Sequence, residues 1–219
     1  MSGPFDTPLR AGAEALGLSL QSQQVAQLGS YLTMLQKWNK VYNLTAVRDP
    51  AEMLTHHLLD SLAVVGPLLR QQPVGTEGFD LLDVGSGAGL PGAVIAICCP
   101  EVRVTCVDTV AKKVAFQQQV AFELRLPNFR GMHTRVEELA DPYQVVCSRA
   151  FASLVDFTRW SRAAVAPGGL WMAMKGKQPA EELAALPGDV DVFHVEQLTV
   201  PGLDAERCIV WMRPQTANS

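Results

Sequence analysis

The sequence predicts an α/β fold with a Rossmann-like, mostly parallel sheet, and three observations lead to this prediction. Apolar runs of strand length alternate with helical patterns between residues 80 and 175. A glycine-rich segment directly follows the first of these runs. Two β-rich runs, 190–200 and 208–212, follow with no room for a helix between them, which predicts a C-terminal antiparallel hairpin.

The alternation assigns each run to an element. The five expected strands before the hairpin are residues 80–84, 102–107, 129–133, 144–147 and 170–174, and the helices between them are 90–99, 110–124 and 154–165. Parallel neighbours need crossover connections, so the helices should cover both faces of the sheet.

The residues before the sheet have a helical pattern, which predicts a small helical extension. Apolar side chains recur at helical spacing at Val25, Leu28, Leu32 and Leu35. Ser22 is the expected N-cap of this helix. Asp49, followed by Pro50, is the expected N-cap of a second helix, which should end near Gly66. The segment 71–78 is the expected linker, so the predicted domains are residues 1–75 and 76–219.

The composition narrows the class of protein. A chain of 219 residues, 48% hydrophobic and 18% charged, fits one domain with an extension and excludes a disordered chain. Its longest apolar run, 93–99, is far below the ~20 residues of a membrane helix. The five cysteines lack zinc or disulfide spacing. We therefore expect a cytoplasmic monomer with no signal peptide, membrane span or metal.

The glycine-rich segment, residues 81–92, predicts a ligand-binding turn. Glycines at 85, 87, 89 and 92 permit positive φ and close approach of the backbone, and the helix that follows points its N-terminal amides at a bound group. Strand, loop and helix occur in the order that such a turn requires. This order favours a nucleotide or nucleoside site over a turn without a ligand.

Two cofactors fit this turn. The spacing of Gly87, Gly89 and Gly92, with Asp108 ending the next strand, matches a dinucleotide site. S-adenosylmethionine is favoured because the chain has only one doubly wound half. Asp83, just before the glycines, could order the loop or face a cationic amino-acid group. A nucleotide-binding module without catalysis, such as an NAD sensor, remains the alternative.

Further motifs stand in the order of a known family. They are residues 83–92, Asp108 with Lys112-Lys113, Arg135-Val136-Glu137-Glu138, Ser148-Arg149-Ala150-Phe151-Ala152-Ser153, Lys175-Gly176, Trp38-Asn39-Lys40, Tyr42-Asn43-Leu44-Thr45, His56-His57 and Asp60-Ser61. Together they resemble the bacterial RsmG (GidB) family of small-subunit ribosomal RNA guanine-N7 methyltransferases. The resemblance extends from about residue 16 to the C-terminal hairpin.

The resemblance implies a class I S-adenosylmethionine-dependent methyltransferase whose target is a guanine in the 530 loop of 16S rRNA, in free RNA or in a small-subunit particle. Asp108 would accept hydrogen bonds from the ribose, and Gly85 and Gly87 would admit the methionine end. The implied cofactor-binding residues are Gly85, Gly87, Leu90, Asp108, Val136, Glu137 and Arg149.

Guanine N7 bears a lone pair and no proton, so its methylation needs alignment rather than a general base. The candidates for contact with RNA are Arg149, Lys175 and Arg207, all near strand ends. Lys175 could instead lie in a solvated turn, and Arg207 could pair with Glu206. A net charge of −4 also suits a methyltransferase acting on a protein or a small molecule.

His56 and His57 lack the further ligands that a metal site needs. We expect instead that His56 pairs with Asp60, four residues on, along one helix face.

Overall fold

The computed structural model describes residues 3–71 and 78–215, and this part of the chain contains one seven-stranded sheet. The strands are β1 (Asp80–Val84), β2 (Arg103–Asp108), β3 (Phe129–His133), β4 (Tyr143–Arg149), β5 (Val165–Lys175), β6 (Val190–Leu198) and β7 (Arg207–Pro214). Their order is β3-β2-β1-β4-β5-β7-β6. Strand β7 pairs antiparallel with β5 and β6, whereas the other neighbours are parallel. The predicted mostly parallel sheet with a C-terminal hairpin is confirmed.

The strand order reverses between β1 and β4. The chain moves outward from β1 to β2 and β3 and then returns to β4 on the other side of β1. The register aligns Val84 with Ser148, so the carboxyl ends of the two strands lie side by side. The loops that leave these ends diverge, which opens a crevice where doubly wound sheets bind ligands.

The helices flank this sheet. They are α1 (Asp6–Ala15), α2 (Ser22–Tyr42), α3 (Pro50–Met53), α4 (Asp60–Leu62), α5 (Val65–Arg70), α6 (Gly92–Cys98), α7 (Ala111–Glu123), α8 (Leu154–Ser161) and α9 (Ala180–Ala184). A π-helical segment (Leu54–Leu59) joins α3 to α4. No described helix is both long and apolar enough to cross a membrane.

Several helix boundaries test the sequence patterns. Asp49 caps α3 as predicted, because its side chain accepts the N–H groups of the first turn. Ser22 was the wrong cap: Gln21 precedes α2 and forms a capping box with Gln24. Helix α5 continues past Gly66. Pro67 lies in the first turn of this helix, where the backbone N–H that proline lacks would have no partner within the helix. Helices α1 and α9 had no predicted counterpart, and most of the expected linker lies outside the described residues.

The N-terminal extension shares one hydrophobic core with the sheet. Leu28 of α2 is fully buried in the same cluster as Ile95 of α6 and Phe116 of α7. The side-chain amide of Gln24 donates to the carbonyls of Ile97 and Cys98 at the end of α6, where the helix leaves its carbonyls unpaired. The extension therefore supports α6 from outside, and α6 in turn follows the glycine loop.

Tyr31 links α2 directly to the glycine loop. Its ring is fully buried, and its hydroxyl donates a hydrogen bond of 2.8 Å to the carbonyl of Ala88. This bond joins the extension to the backbone that lines the crevice.

Tyr31→Phe should lower the free energy of unfolding by about 1–3 kcal/mol, because it leaves the Ala88 carbonyl without its partner while the ring packing is kept. Urea denaturation of the purified protein measures this loss. Tyr42→Phe removes a hydroxyl from an exposed ring and should change stability by less than about 0.5 kcal/mol. Equal stability of the two variants would contradict a stabilising role for the Tyr31 hydroxyl.

Candidate active site

The glycine loop leaves β1 in a left-handed backbone conformation. Gly85, Gly87 and Gly89 have φ values of 63°, 59° and 82°, which favour glycine. The Gly85 and Ser86 N–H groups bond to the carbonyl of Val107. The Gly87 N–H donates to Asp108 Oδ2 at 3.0 Å, so the carboxyl end of β2 fixes the loop.

Asp83 holds the far end of the same loop. It is fully buried, and its Oδ2 accepts the N–H of Gly92 at 2.9 Å. A Cβ at Gly92 would lie 2.6 Å from Cys106 Sγ, so only glycine allows α6 to come this close to the strands. Of the two roles open to Asp83 from the sequence, the structure shows the ordering of the loop.

Burial raises the pKa of the Asp83 carboxyl to about 7, although the Gly92 N–H bond and the charge of Arg149 oppose this shift. Its second oxygen, Oδ1, has no hydrogen-bond partner among the described residues. The Asp83 carboxyl is therefore mostly protonated only below about pH 7.

Two cavities open beside the loop and meet at Gly85 and Ala150. The first, of about 410 Å³, lies beyond the ends of β1 and β2. Its walls include Asp108, Val136 and Glu137, three of the predicted cofactor-binding residues. Its far side is aromatic, because Phe151 and Trp160 pack edge to face there.

The second cavity, of about 540 Å³, lies on the other side of the loop. The predicted residues on its walls are Gly85, Gly87, Leu90, Arg149, Lys175 and Arg207. The extension also contributes to it, through Thr45, His57 and Asp60. The structure therefore brings every predicted site residue to one of two adjoining cavities.

Ala150 separates the two cavities at the end of β4. Its φ of 52° is in the left-handed region, which is strained for a residue with a side chain. Phe151, on one side of this turn, lines the first cavity, and Arg149, on the other side, lines the second. A Cβ at Gly85 would lie 2.1 Å from the Phe151 ring, so glycine is required where the cavities meet.

The partners of the basic residues differ from those expected. Arg207 Nε donates to Asp60 Oδ1 at 2.8 Å, and the guanidinium contacts the carbonyl of Glu206 rather than its carboxylate. Asp60 Oδ2 accepts Arg149 Nη1 at 2.9 Å, so the expected pairing of Asp60 with His56 is wrong. The π-helical turn between the two residues changes the i,i+4 geometry on which that expectation rested.

Lys175 does not lie in a solvated turn. Its ammonium group donates to both carboxylate oxygens of Glu182 and to the carbonyl of Ala152. Glu182 also accepts the N–H of Leu154 at the start of α8. Lys175 therefore joins the ends of β4 and β5 to α9, while it still lines the second cavity.

Sequence reasoning gave no site role to His57, Thr45, Phe151 or Trp160. His57 Nε2 lies 2.9 Å from Thr45 Oγ1, and burial together with Arg149 lowers the pKa of His57 to about 4. Its place in the His56-His57 motif was the available signal. Among the described residues, no group of three His, Cys, Asp or Glu side chains is placed to hold a metal ion.

The sheet order, the antiparallel β7 and the glycine loop beside two cavities define a class I methyltransferase fold. Solved structures share it. Magnesium protoporphyrin IX methyltransferase from Synechocystis PCC 6803, with bound S-adenosylmethionine, has a TM-score of 0.59 at 15% identity, over 89% of this chain and 98% of that one. TrmN from Thermus thermophilus has a TM-score of 0.57 at 18% identity, over 74% and 53%.

The family follows from the sequence comparisons. A family model described as rRNA small subunit methyltransferase G (GidB) matches residues 24–210. Two relatives are named ribosomal RNA small subunit methyltransferase G. The protein from Acidovorax sp. (strain JS42) is 66% identical over 216 residues, which cover 96% of both chains. The protein from Polaromonas sp. (strain JS666) is 68% identical over 211 residues, which cover 95% of this chain and 93% of that one. The chain belongs to this family. The expected family, fold class and S-adenosylmethionine as the cofactor of that class are confirmed.

Asp83 should make stability fall with rising pH. Its carboxyl has a pKa of about 7 when folded against 3.8 when unfolded, so the folded chain holds the proton more tightly. The contribution of this bound proton to the free energy of unfolding is fully present below about pH 4 and is lost as pH rises towards 7. Asp83→Asn keeps an acceptor oxygen for Gly92 but removes the titration. Urea denaturation at pH 5 and pH 8 should show the wild type losing roughly 2–4 kcal/mol more than the variant. Parallel pH profiles would contradict this assignment.

Proposed function

We propose that this protein transfers a methyl group from S-adenosylmethionine to N7 of a guanine in the 530 loop of 16S rRNA. The observation that carries the proposal is the pair of adjoining cavities. One has an acidic and aromatic wall suited to a nucleoside, and the other has arginines at its wall. Membership of the small-subunit rRNA methyltransferase family supports the RNA as substrate.

The residues of the first cavity fit the nucleoside part of S-adenosylmethionine. Asp108 presents a carboxylate at the end of β2, where a ribose can donate its hydroxyls, and Val136 supplies an apolar surface for adenine. A Cβ at Gly87 would meet no atom within 4 Å, so the loop leaves open space for the methionine part. When bound, this cofactor supplies a methyl group on a positively charged sulfur, which a lone pair can accept.

The remaining task of the protein is to position the guanine. N7 carries no proton, so no side chain has to remove one. His57 agrees with this requirement, because its lowered pKa keeps it neutral and its Nε2 is bonded to Thr45. The second cavity therefore acts by holding the base in line with the methyl group, and orientation of this kind can supply a large part of a rate enhancement.

The wall of the second cavity suits RNA. Arg149, Lys175 and Arg207 line it with side chains that are 20%, 18% and 23% exposed, so each is partly open to a ligand. A guanine in a loop can be unstacked at little cost to reach such a cavity. The N-terminal extension, residues 1–75, shapes the entrance in this proposal. A single copy of the chain suffices, since one chain lines both cavities.

Incubation with labelled S-adenosylmethionine tests the proposal. The substrates are small ribosomal subunits from a strain lacking this enzyme, naked 16S rRNA and ribosome-free lysate proteins. We expect label in the subunits or the rRNA, and strand cleavage at N7-methylguanine followed by primer extension should place it in the 530 loop. Label in the protein fraction alone, or at a position other than guanine N7, would refute the proposal.

Gly87→Val should weaken cofactor binding without unfolding the protein. The added side chain enters the open space of the loop, so the affinity for S-adenosylhomocysteine in calorimetry should fall roughly 10-fold or more. Gly168→Val is the matched control, because Gly168 has a φ of 75° and equally open surroundings but lies in β5, outside both cavities. Both changes should cost stability of the order of 1–3 kcal/mol. Undiminished affinity of the Gly87 variant, or tight binding of NAD alone, would overturn the loop assignment.

A further inference from the structure

Asp60 joins three distant parts of the chain at the wall of the second cavity. Its side chain is only 4% exposed. One carboxylate oxygen accepts Arg149 Nη1 from the end of β4, at 2.9 Å, and the other accepts Arg207 Nε from the start of β7, at 2.8 Å. A buried carboxylate of the N-terminal extension thus holds one arginine from each of two strands.

The π-helical segment before Asp60 supplies a second acceptor for the same arginine. Arg149 Nη1 donates to the carbonyl of His56, at 3.0 Å, as well as to Asp60. Segments of this kind often occur at functional sites, because the wider turn redirects backbone and side-chain groups. Here one guanidinium nitrogen is fixed by two acceptors, one within the π-helical segment and one directly after it.

The two arginines keep donors that the protein does not use. Nε and Nη2 of Arg149 and Nη2 of Arg207 donate to no residue in the described ranges, and both side chains line the second cavity. With one carboxylate and two guanidinium groups, the cluster carries a formal charge of +1. Paired guanidinium forks match the geometry of a phosphate.

We propose that Asp60 is a positioning residue for RNA: it holds Arg149 and Arg207 side by side so that their free N–H groups bind the phosphate backbone next to the target guanine. We assign Arg149, which the family resemblance also implies as a cofactor-binding residue, to RNA. This inference rests on the proposed function. Long side chains lose much freedom when a ligand immobilises them, and a carboxylate that fixes them beforehand removes that cost from RNA binding.

The sign of the charge effect separates this role from general electrostatics. Removal of Asp60's negative charge raises the positive charge at the cavity, so electrostatics alone would strengthen RNA binding. If Asp60 acts by positioning, its removal weakens RNA binding instead. The two explanations therefore predict opposite changes.

The test compares Asp60→Asn with the wild type, using small ribosomal subunits from a strain lacking the enzyme. We expect the KM for subunits to rise at least about 10-fold, while the affinity for S-adenosylhomocysteine in calorimetry stays within about twofold. Asp80→Asn is the control, because Asp80 makes a two-bond pair with Arg103 at the amino-terminal ends of β1 and β2, outside the second cavity, and should leave both values unchanged. An unchanged or lower KM overturns the proposal, and so does a loss confined to S-adenosylhomocysteine binding.

A second set of variants tests the proposal even if Asp60→Asn fails to fold. Arg207→Lys keeps the charge but lacks Nε, so it should raise the KM nearly as much as Arg207→Ala if positioning matters, and hardly at all if only charge matters. Where Asp60→Asn folds, the double variant of Asp60→Asn and Arg207→Ala gives a further test. Its fold increase in KM should be smaller than the product of the two single-variant increases, because Asp60 acts through Arg207. Wild-type KM for Arg207→Lys, or fully multiplicative effects, overturns the proposal.

Failure of the proposed function gives a different result. If wild-type protein places no methyl group on guanine N7 of the subunits, the proposed function is wrong whatever the variants do. If the wild type methylates N7 and Asp60→Asn has the same KM, only the role of Asp60 is wrong.

Discussion

The hydrogen bond from the Gly92 N–H to buried Asp83 is the contact on which the rest of the site depends. It draws the start of α6 against β1 and β2, at a distance that only glycine permits. With this end fixed, the loop crosses the crevice in a left-handed conformation, and the Gly87 N–H reaches Asp108. The loop held in this way borders both cavities, which share Gly85. Tyr31 holds the middle of the same loop through Ala88, so its support extends to the N-terminal helix.

Two buried carboxylates near the crevice have opposite surroundings and different consequences. Asp83 is bonded to a backbone N–H and lies among apolar groups, so burial raises its pKa and favours the neutral form. Asp60 has a guanidinium group on each oxygen, which offsets the cost of burying its charge. The first carboxyl therefore serves the shape of the loop. The second organises positive charge at the cavity that we assign to RNA.

Local patterns in the sequence were enough for the order and type of the strands, because each strand is an apolar or β-rich run separated from the next by a turn or a helix. Residues 80–84 and 129–133 match β1 and β3, and the glycine spacing located the loop. The partners of charged groups were not predictable in this way. Asp60 lies 89 positions from Arg149 and 147 from Arg207, and only the strand order brings the three together. Helix periodicity also gave a wrong partner for His56. A π-helical turn cannot be recognised from a hydrophobic pattern with a period of 3.6 residues, so the spacing of His56 and Asp60 was interpreted as that of an α-helix.

A net charge of −4 is compatible with an RNA substrate because charge acts over short distances in salt solution. At physiological ionic strength charges beyond about 8 Å are largely screened, so the field at the cavity is set by the groups on its own wall. Asp80, at the amino-terminal end of β1, is already paired with Arg103. The wall itself has Arg149 and Arg207 against the single carboxylate of Asp60. We therefore propose that recognition of RNA depends on the geometry of these two arginines, which the buried carboxylate of Asp60 holds in place.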